Sequence, residues 1–321
     1  MKLIISIIAL LAPACIVFPV LGQDTQATQK QLALDVPIAD VHMHLFPALT
    51  PQEALARMDR NNVRWAGGVG ALRKDTDLGA YSALLGKRYF PAGGQPEMGV
   101  MWFSGGASEL VNAEGNAFKG LLAKADQDFQ DGKIQGIGEL ILNNRASHPQ
   151  PNFRRKVQID APTFVAMFQL AEKHGGFVQI HTEDDSDSLQ GLENLAREFP
   201  NVPIILSHCL ARATASTAKA LLEKHPNMYC ETSARSSVIL SAPSVEQHQI
   251  HDQYRARSQW VELMESMPDR FMVGSDDTGH HSYDAIIGTI RTGLLPHLSE
   301  ATMKKVAYEN AVRVFKLDPT P

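Results

Sequence analysis

The chain is short of positive charge: 30 lysines and arginines stand against 35 aspartates and glutamates, a formal net charge of −5 over 321 residues. No run of Lys and Arg exists that would follow a phosphate backbone, which excludes the electrostatic footprint of a nucleic-acid binder. Cysteine is scarce, with three in all, too few for a disulfide framework. Aromatic residues make up 7%, with 23 glycines and 18 prolines, which argues against a fibrous or disordered class; a hydrophobic share of 44% is enough for a large core. No internal repeat, low-complexity tract or linker divides the chain, and no G-x-G-x-x-G follows the first β-rich run, which counts against a dinucleotide fold.

What is present begins at the amino terminus. Lys2 is followed by a nearly uninterrupted apolar run from Leu3 to Leu21, and Val20-Leu21-Gly22 places small or aliphatic residues ahead of Gln23. This predicts a signal peptide over residues 1–22, cleaved after Gly22, and a periplasmic or secreted mature chain forming one domain over residues 23–321. An uncleaved membrane anchor competes, but Pro13 and Pro19 interrupt the run; lipoprotein processing at Cys15 has a poor approach in Leu11-Ala12-Pro13-Ala14. Cleavage removes Cys15 and leaves Cys209 and Cys230, which are expected as buried free thiols.

Along the rest of the chain, short β-rich runs alternate with amphipathic ones. The strand-like runs are Ile38 to Leu45, Val63 to Val69, Met98 to Phe103, Ile134 to Leu142, Phe177 to Thr182, Val202 to Cys209, Met228 to Thr232 and Arg270 to Ser275. Between them Gln52 to Arg60, Asn116 to Phe129, Pro162 to His174, Leu189 to Phe199, Thr214 to His225 and Ser258 to Met267 carry apolar residues at helical spacing. Strand and helix in alternation imply a parallel sheet, and this number of units predicts a closed (β/α)₈ TIM barrel.

Chemistry in such a barrel belongs at the carboxyl ends of the strands. His42 and His44 end the first run, in Asp40-Val41-His42-Met43-His44, where the two-residue period of a strand points both imidazoles the same way. Glu139 stands near the end of the fourth run, His181 ends the fifth, His208 the sixth and Asp276 the eighth. Each follows an apolar strand that would bury it at the barrel mouth.

This set, in this order on separate strand-like runs, resembles the metal-dependent amidohydrolase superfamily. The tail Val306-Ala307-Tyr308-Glu309-Asn310-Ala311-Val312-Arg313-Val314-Phe315 is similar to the closing helix of its amidohydrolase-related branch, which includes hydrolases and nonoxidative decarboxylases. The resemblance implies that His42, His44 and Asp276 hold a divalent metal, zinc by chemistry, with His181 and His208 as ligands or catalytic partners. It leaves two versions of the site. In one, Glu139 bridges two ions, as the similar Gly-Ile-Gly-Glu phrase of TatD-like nucleases does; in the other, a single ion is held without it. Glu139 is then either a ligand, a support behind the ligands, or a residue facing the helices and pairing with a base.

Imidazole and carboxylate suit a borderline ion that lowers the pKa of a bound water to about 7. Asp276 is placed to take that proton as general base, with Asp277 free to cap the helix expected over residues 281–292. Three functions follow: a hydrolase cleaving an amide, lactone or ester of a small molecule; a zinc-dependent decarboxylase of a small carboxylic acid; and a non-enzymatic metal- or ligand-binding barrel, which an intact set of ligands plus a base argues against. Cations on the expected mouth loops, Arg145, His148, Arg154, Arg155, Lys156, Arg235, His280 and His281, suit a carboxylate or phosphate on the substrate, with Arg235 the one singled out.

Overall fold

The computed structural model describes residues 21–321. The expected signal peptide therefore lies outside the described residues, except for Leu21 and Gly22, which open the first helix. The order is α1 (Leu21–Asp35), β1 (Ile38–Asp40), α2 (Pro51–Arg60), β2 (Val63–Gly67), α3 (Leu78–Leu85), β3 (Tyr89–Phe90), β4 (Ala92–Gly94), α4 (Gln95–Leu110), α5 (Asn116–Gln130) and β5 (Gly136–Ile141). It continues with α6 (Pro162–His174), β6 (Phe177–His181), α7 (Ser186–Glu198), β7 (Ile204–Leu206), α8 (Ala215–Lys224), β8 (Met228–Glu231), α9 (Ser258–Ser266), β9 (Phe271–Met272), α10 (Tyr283–Thr289), α11 (Glu300–Lys304) and α12 (Asn310–Val314). No described helix is long and apolar enough to cross a membrane.

Every strand pair is parallel, in the orders β1-β2-β3 and β4-β5-β6-β7-β8-β9. The two sets belong to one ring. β3 runs directly into β4 through Pro91, whose missing N–H interrupts the ladder. On the other side, the Val41 amide donates to the Val273 carbonyl (3.1 Å) and the Asp276 amide to the His42 carbonyl (2.9 Å), tying the segment after β9 to the segment after β1. This is the expected TIM-barrel arrangement, with helices outside and the carboxyl ends of the strands at one mouth.

One expected strand is wrong. Met98 to Phe103 lies inside α4, and the third strand position is filled by Tyr89 to Gly94. Pro96 suits the first turn of a helix, and Met98 and Met101, three residues apart, turn inward together. The six helices expected between the strand-like runs form where their signals place them. Thr50 caps α2 by accepting the Glu53 amide (3.1 Å), Asp185 caps α7 and Thr214 caps α8. Gly175, at φ 63°, ends α6 in the left-handed conformation that glycine adopts without penalty.

A main core packs the helices on the strands, and a second cluster sits around Ala39, Trp65, Phe90, Phe177, Ile205 and Met272. Phe315, just after α12, closes the second cluster, with ring centroids 4.8 Å from Phe90 and 4.6 Å from Phe177. Burial of that ring contributes about 1.5–3 kcal/mol. Asn310 fixes the same tail: its amide donates to the Pro268 and Phe271 carbonyls, both at 2.8 Å.

Candidate metal centre

The strand ends bring His42, His44, Glu139, His181, His208 and Asp276 together in one cluster. The Nε2 atoms of His42 and His44 are 3.2 Å apart, and Asp276 Oδ1 lies 3.3 Å from the first and 3.2 Å from the second. Glu139 faces both halves of the cluster. Its Oε1 is 3.1 Å from His181 Nδ1, 3.4 Å from His208 Nε2 and 3.7 Å from His42 Nε2, while Oε2 is 3.7 Å from His44 Nε2. Two overlapping groups, His42 with His44 and Asp276, and His42 with Glu139 and His208, are each compact enough to hold an ion.

The spacing fits a metal. Ligand atoms about 2.0–2.1 Å from a tetrahedral zinc stand about 3.3 Å from one another, and the His42, His44 and Asp276 atoms are 3.2–3.3 Å apart. Nitrogen and carboxylate oxygen with no thiolate is the donor mixture of a borderline divalent ion.

The imidazoles are aimed by what holds their far sides. His42 Nδ1 donates to Glu231 Oε1 at 2.9 Å, and the Gln179 amide oxygen approaches the same nitrogen at 3.0 Å while its NH₂ donates to the Val41 and Gly68 carbonyls. His208 Nδ1 meets Ser233 Oγ at 2.9 Å, and His44 Nδ1 faces the Gly70 carbonyl at 3.4 Å. All three rings therefore present Nε2 to the centre. His181 is reversed, presenting Nδ1, with Nε2 3.5 Å from Ser147 Oγ. Such outer partners fix the tautomer and raise ligand basicity.

The backbone is held in costly conformations at two of these residues. His208 and Asp276 have φ of 57° and 51°, each costing on the order of 1–3 kcal/mol for a residue other than glycine. Glu231 offsets part of this by accepting the His208 amide (2.7 Å), and the Asp276 amide is held by His42 as described. Asp40, wholly buried, accepts the Ser275 amide and hydroxyl (2.8 and 2.7 Å) and the Tyr283 hydroxyl (3.1 Å), pinning β1 to the residue before Asp276. Gly274 leaves the necessary room: a Cβ there would stand 2.7 Å from His42 Cβ and 2.9 Å from Glu231 Oε2.

Protonation follows from this crowding. Burial pushes His42 down, but Glu139, Glu231 and Asp276 outweigh it and raise its pKa well above the usual imidazole value. Burial pushes the Asp276 and Glu139 carboxyls up, but positive charge and hydrogen bonds from the imidazoles hold both well below the carboxylate range. His42 and His44 are shielded from solvent, whereas the side chains of His181 and Asp276 are 15% and 20% exposed and mark the open side.

Three expectations are corrected. Cys209 and Cys230 are joined in a disulfide, because the third residue after β7 and the third residue of the adjacent β8 bring their Cα atoms within 4.6 Å. Asp277 does not cap the following helix; it accepts Arg57 (2.8 Å) and the Gly279 amide, and Ser282 caps α10. Arg235 is not an open substrate contact. It is buried over the Trp260 ring and donates to the His248, His208 and Ala213 carbonyls, which supports the β7 loop from behind. His280 and His281 are exposed. Glu231 is a further residue of the site that the strand-end pattern does not single out, although it ends β8.

Among solved structures, the fold is similar to Agrobacterium tumefaciens ATU3138 (TM-score 0.55, 14% identity, 89% of this chain and 98% of that one). It is also similar to a probable 2-pyrone-4,6-dicarboxylic acid hydrolase from Acinetobacter baumannii (0.53, 13%, 87% and 99%) and to a 2,6-dihydroxybenzoate decarboxylase (0.50, 13%, 88% and 98%). A comparison with curated proteins finds no match. The family described as Amidohydrolase matches residues 39–317, from β1 to just past α12 and across every residue of the cluster. By that match the chain belongs to the amidohydrolase family.

Proposed function

We propose that this chain is a metal-dependent hydrolase that cleaves an amide, lactone or ester bond of a small molecule, working in the periplasm or outside the cell once its signal peptide is removed. The observation that carries the reading is Glu139, whose two oxygens face both the His42–His44 side and the His181–His208 side of one buried cluster. A carboxylate so placed suits a bridge between two divalent ions, with His42, His44 and Asp276 on one and His181 and His208 on the other.

Zinc is the ion that the nitrogen and oxygen donors suit best. Such an ion supplies Lewis acidity, which makes hydroxide available near neutral pH. The protein's part is to handle the proton and hold the geometry. Asp276 is ionised and partly open to the mouth, so it accepts the proton of the attacking water and delivers it to the leaving group. His208, its Nδ1 held by Ser233, keeps Nε2 turned into the cluster, 3.8 Å from Asp276 Oδ2, where it would help to hold the ion.

Product analysis of the zinc-loaded protein against panels of small lactones, esters and amides tests the reading, with Asp276→Asn as control. Cleavage that falls by about 10²-fold or more in D276N is the expected result. Release of carbon dioxide from a carboxylic acid, with no hydrolysis, would replace it with the decarboxylase.

A further inference from the structure

Arg155 holds a cationic group that the protein leaves without a counterpart. The residue is 7% exposed, yet among the described residues its guanidinium makes no hydrogen bond and no ion pair, and its Nε is buried without a partner. Among the described residues its guanidinium packs on the Trp102 ring of α4, with the guanidinium carbon 5.1 Å from the ring centroid. Other buried arginines of this chain are saturated: Arg235 and Arg291 each donate to three or more backbone carbonyls. A buried charge left unpaired costs stability, so its retention calls for a ligand.

Its place in the fold points the same way. Arg155 lies on the loop that follows β5, the strand carrying Glu139. Backbone hydrogen bonds to Asn144 (2.7 Å to its Oδ1 and 3.0 Å from its amide) lock it at the carboxyl end of that strand. The next residue, Lys156, sends its side chain to Asp185 and Asp187 at the start of α7, and in an extended segment neighbouring side chains leave on opposite sides. Arg155 is thus turned away from α7, and the same loop reaches His181 through Ser147. Burial draws the guanidinium down to about 10, and the opposing influence is the Glu139 carboxylate of the metal cluster.

We infer that Arg155 is the binding residue for a carboxylate on the substrate, seated on Trp102 beside the metal cluster. This rests on the proposed metal site and adds the substrate class. The planar fork of a guanidinium matches a carboxylate through paired N–H donors. One cation within the field of Glu139 suits a monoanion better than a phosphate dianion.

The test measures binding, not turnover. Zinc-loaded wild type and Arg155→Met and Arg155→Lys variants are titrated calorimetrically with benzoate, hexanoate and succinate, each against its neutral amide, with metal content and thermal midpoint recorded for every protein. At least one carboxylate should bind wild type more tightly than its amide and lose about tenfold or more in R155M. R155K should fall between the two, because it keeps the charge and loses the fork. Metal content should be unchanged, and R155M should melt higher than wild type, since an unpaired buried charge is replaced by an apolar chain of similar length. The proposal is overturned if no carboxylate is preferred over its amide, if R155M and R155K bind as wild type does, or if R155M loses its metal. A drop in the melting point of R155M also overturns it, by showing a structural role. Because no hydrolysis is measured, a failure of the hydrolase reading appears separately, in the product assays.

Discussion

His42 and Glu231 are joined by a 2.9 Å hydrogen bond between imidazole Nδ1 and carboxylate Oε1, with both side chains wholly shielded from water. The same carboxylate accepts the His208 amide at 2.7 Å and the Ser233 amide at 2.7 Å. One buried anion therefore sets the tautomer of a first-strand histidine and the backbone of a sixth-strand one. Burial alone would raise its pKa, but His42 and His208 draw it below the usual value.

Glu231→Gln keeps the shape and removes the charge, so zinc affinity should fall by about tenfold, and Glu231→Ala by about a hundredfold. Competition with a chromophoric chelator measures this. Unchanged affinity in the alanine variant would show that His42 is aimed by Gln179 alone.

Zinc uptake should release protons. The carboxylates raise the pKa of His42 above the ordinary imidazole value, so the metal-free protein holds a proton on that ring at neutral pH and an ion must displace it. Affinity should therefore rise with pH until the raised His42 pKa is passed, then level off; below the ordinary imidazole range the ring is fully protonated and binding is weakest. Calorimetry in buffers of different ionisation enthalpy reads the proton count directly, and a count of zero at pH 7 contradicts the account.

The disulfide closes a loop with a sequence separation of 21 residues, which corresponds to about 3 kcal/mol of stability. Denaturant unfolding with and without reductant should show a loss of that order. The reduced protein should also bind zinc more weakly, because Cys209 adjoins His208 in a stretch where both, with Leu210, have positive φ. Alkylation of two thiols in the unreduced, unfolded protein would show that the bridge does not form.

The cluster was legible in the sequence because its members lie at or near the carboxyl ends of apolar strand-like runs, and a period of two turns His42 and His44 the same way. The third strand was not. Its Ala92-Gly93-Gly94 half lacks β-branched residues, and Pro91 breaks the run, while the apolar Met98 to Phe103 stretch that looked like a strand follows a Pro96 that starts a helix. The bridge between Cys209 and Cys230 depends on how far past β7 the chain turns back toward β8, which brings the two Cα atoms to 4.6 Å and is not displayed by spacing along the chain. Arg235 and Arg155 both read as loop cations, with Arg235 the one singled out. Only packing distinguishes them, since one is saturated by carbonyls and the other is not.

The most direct test of the site is metal content per chain, by plasma mass spectrometry, for wild type and Glu139→Gln. The account predicts about two ions in wild type, falling to one or none when the carboxylate that faces both halves of the cluster loses its charge. A single ion unaffected by the substitution would contradict the bridge, and a protein that holds no metal at all would contradict the mechanism.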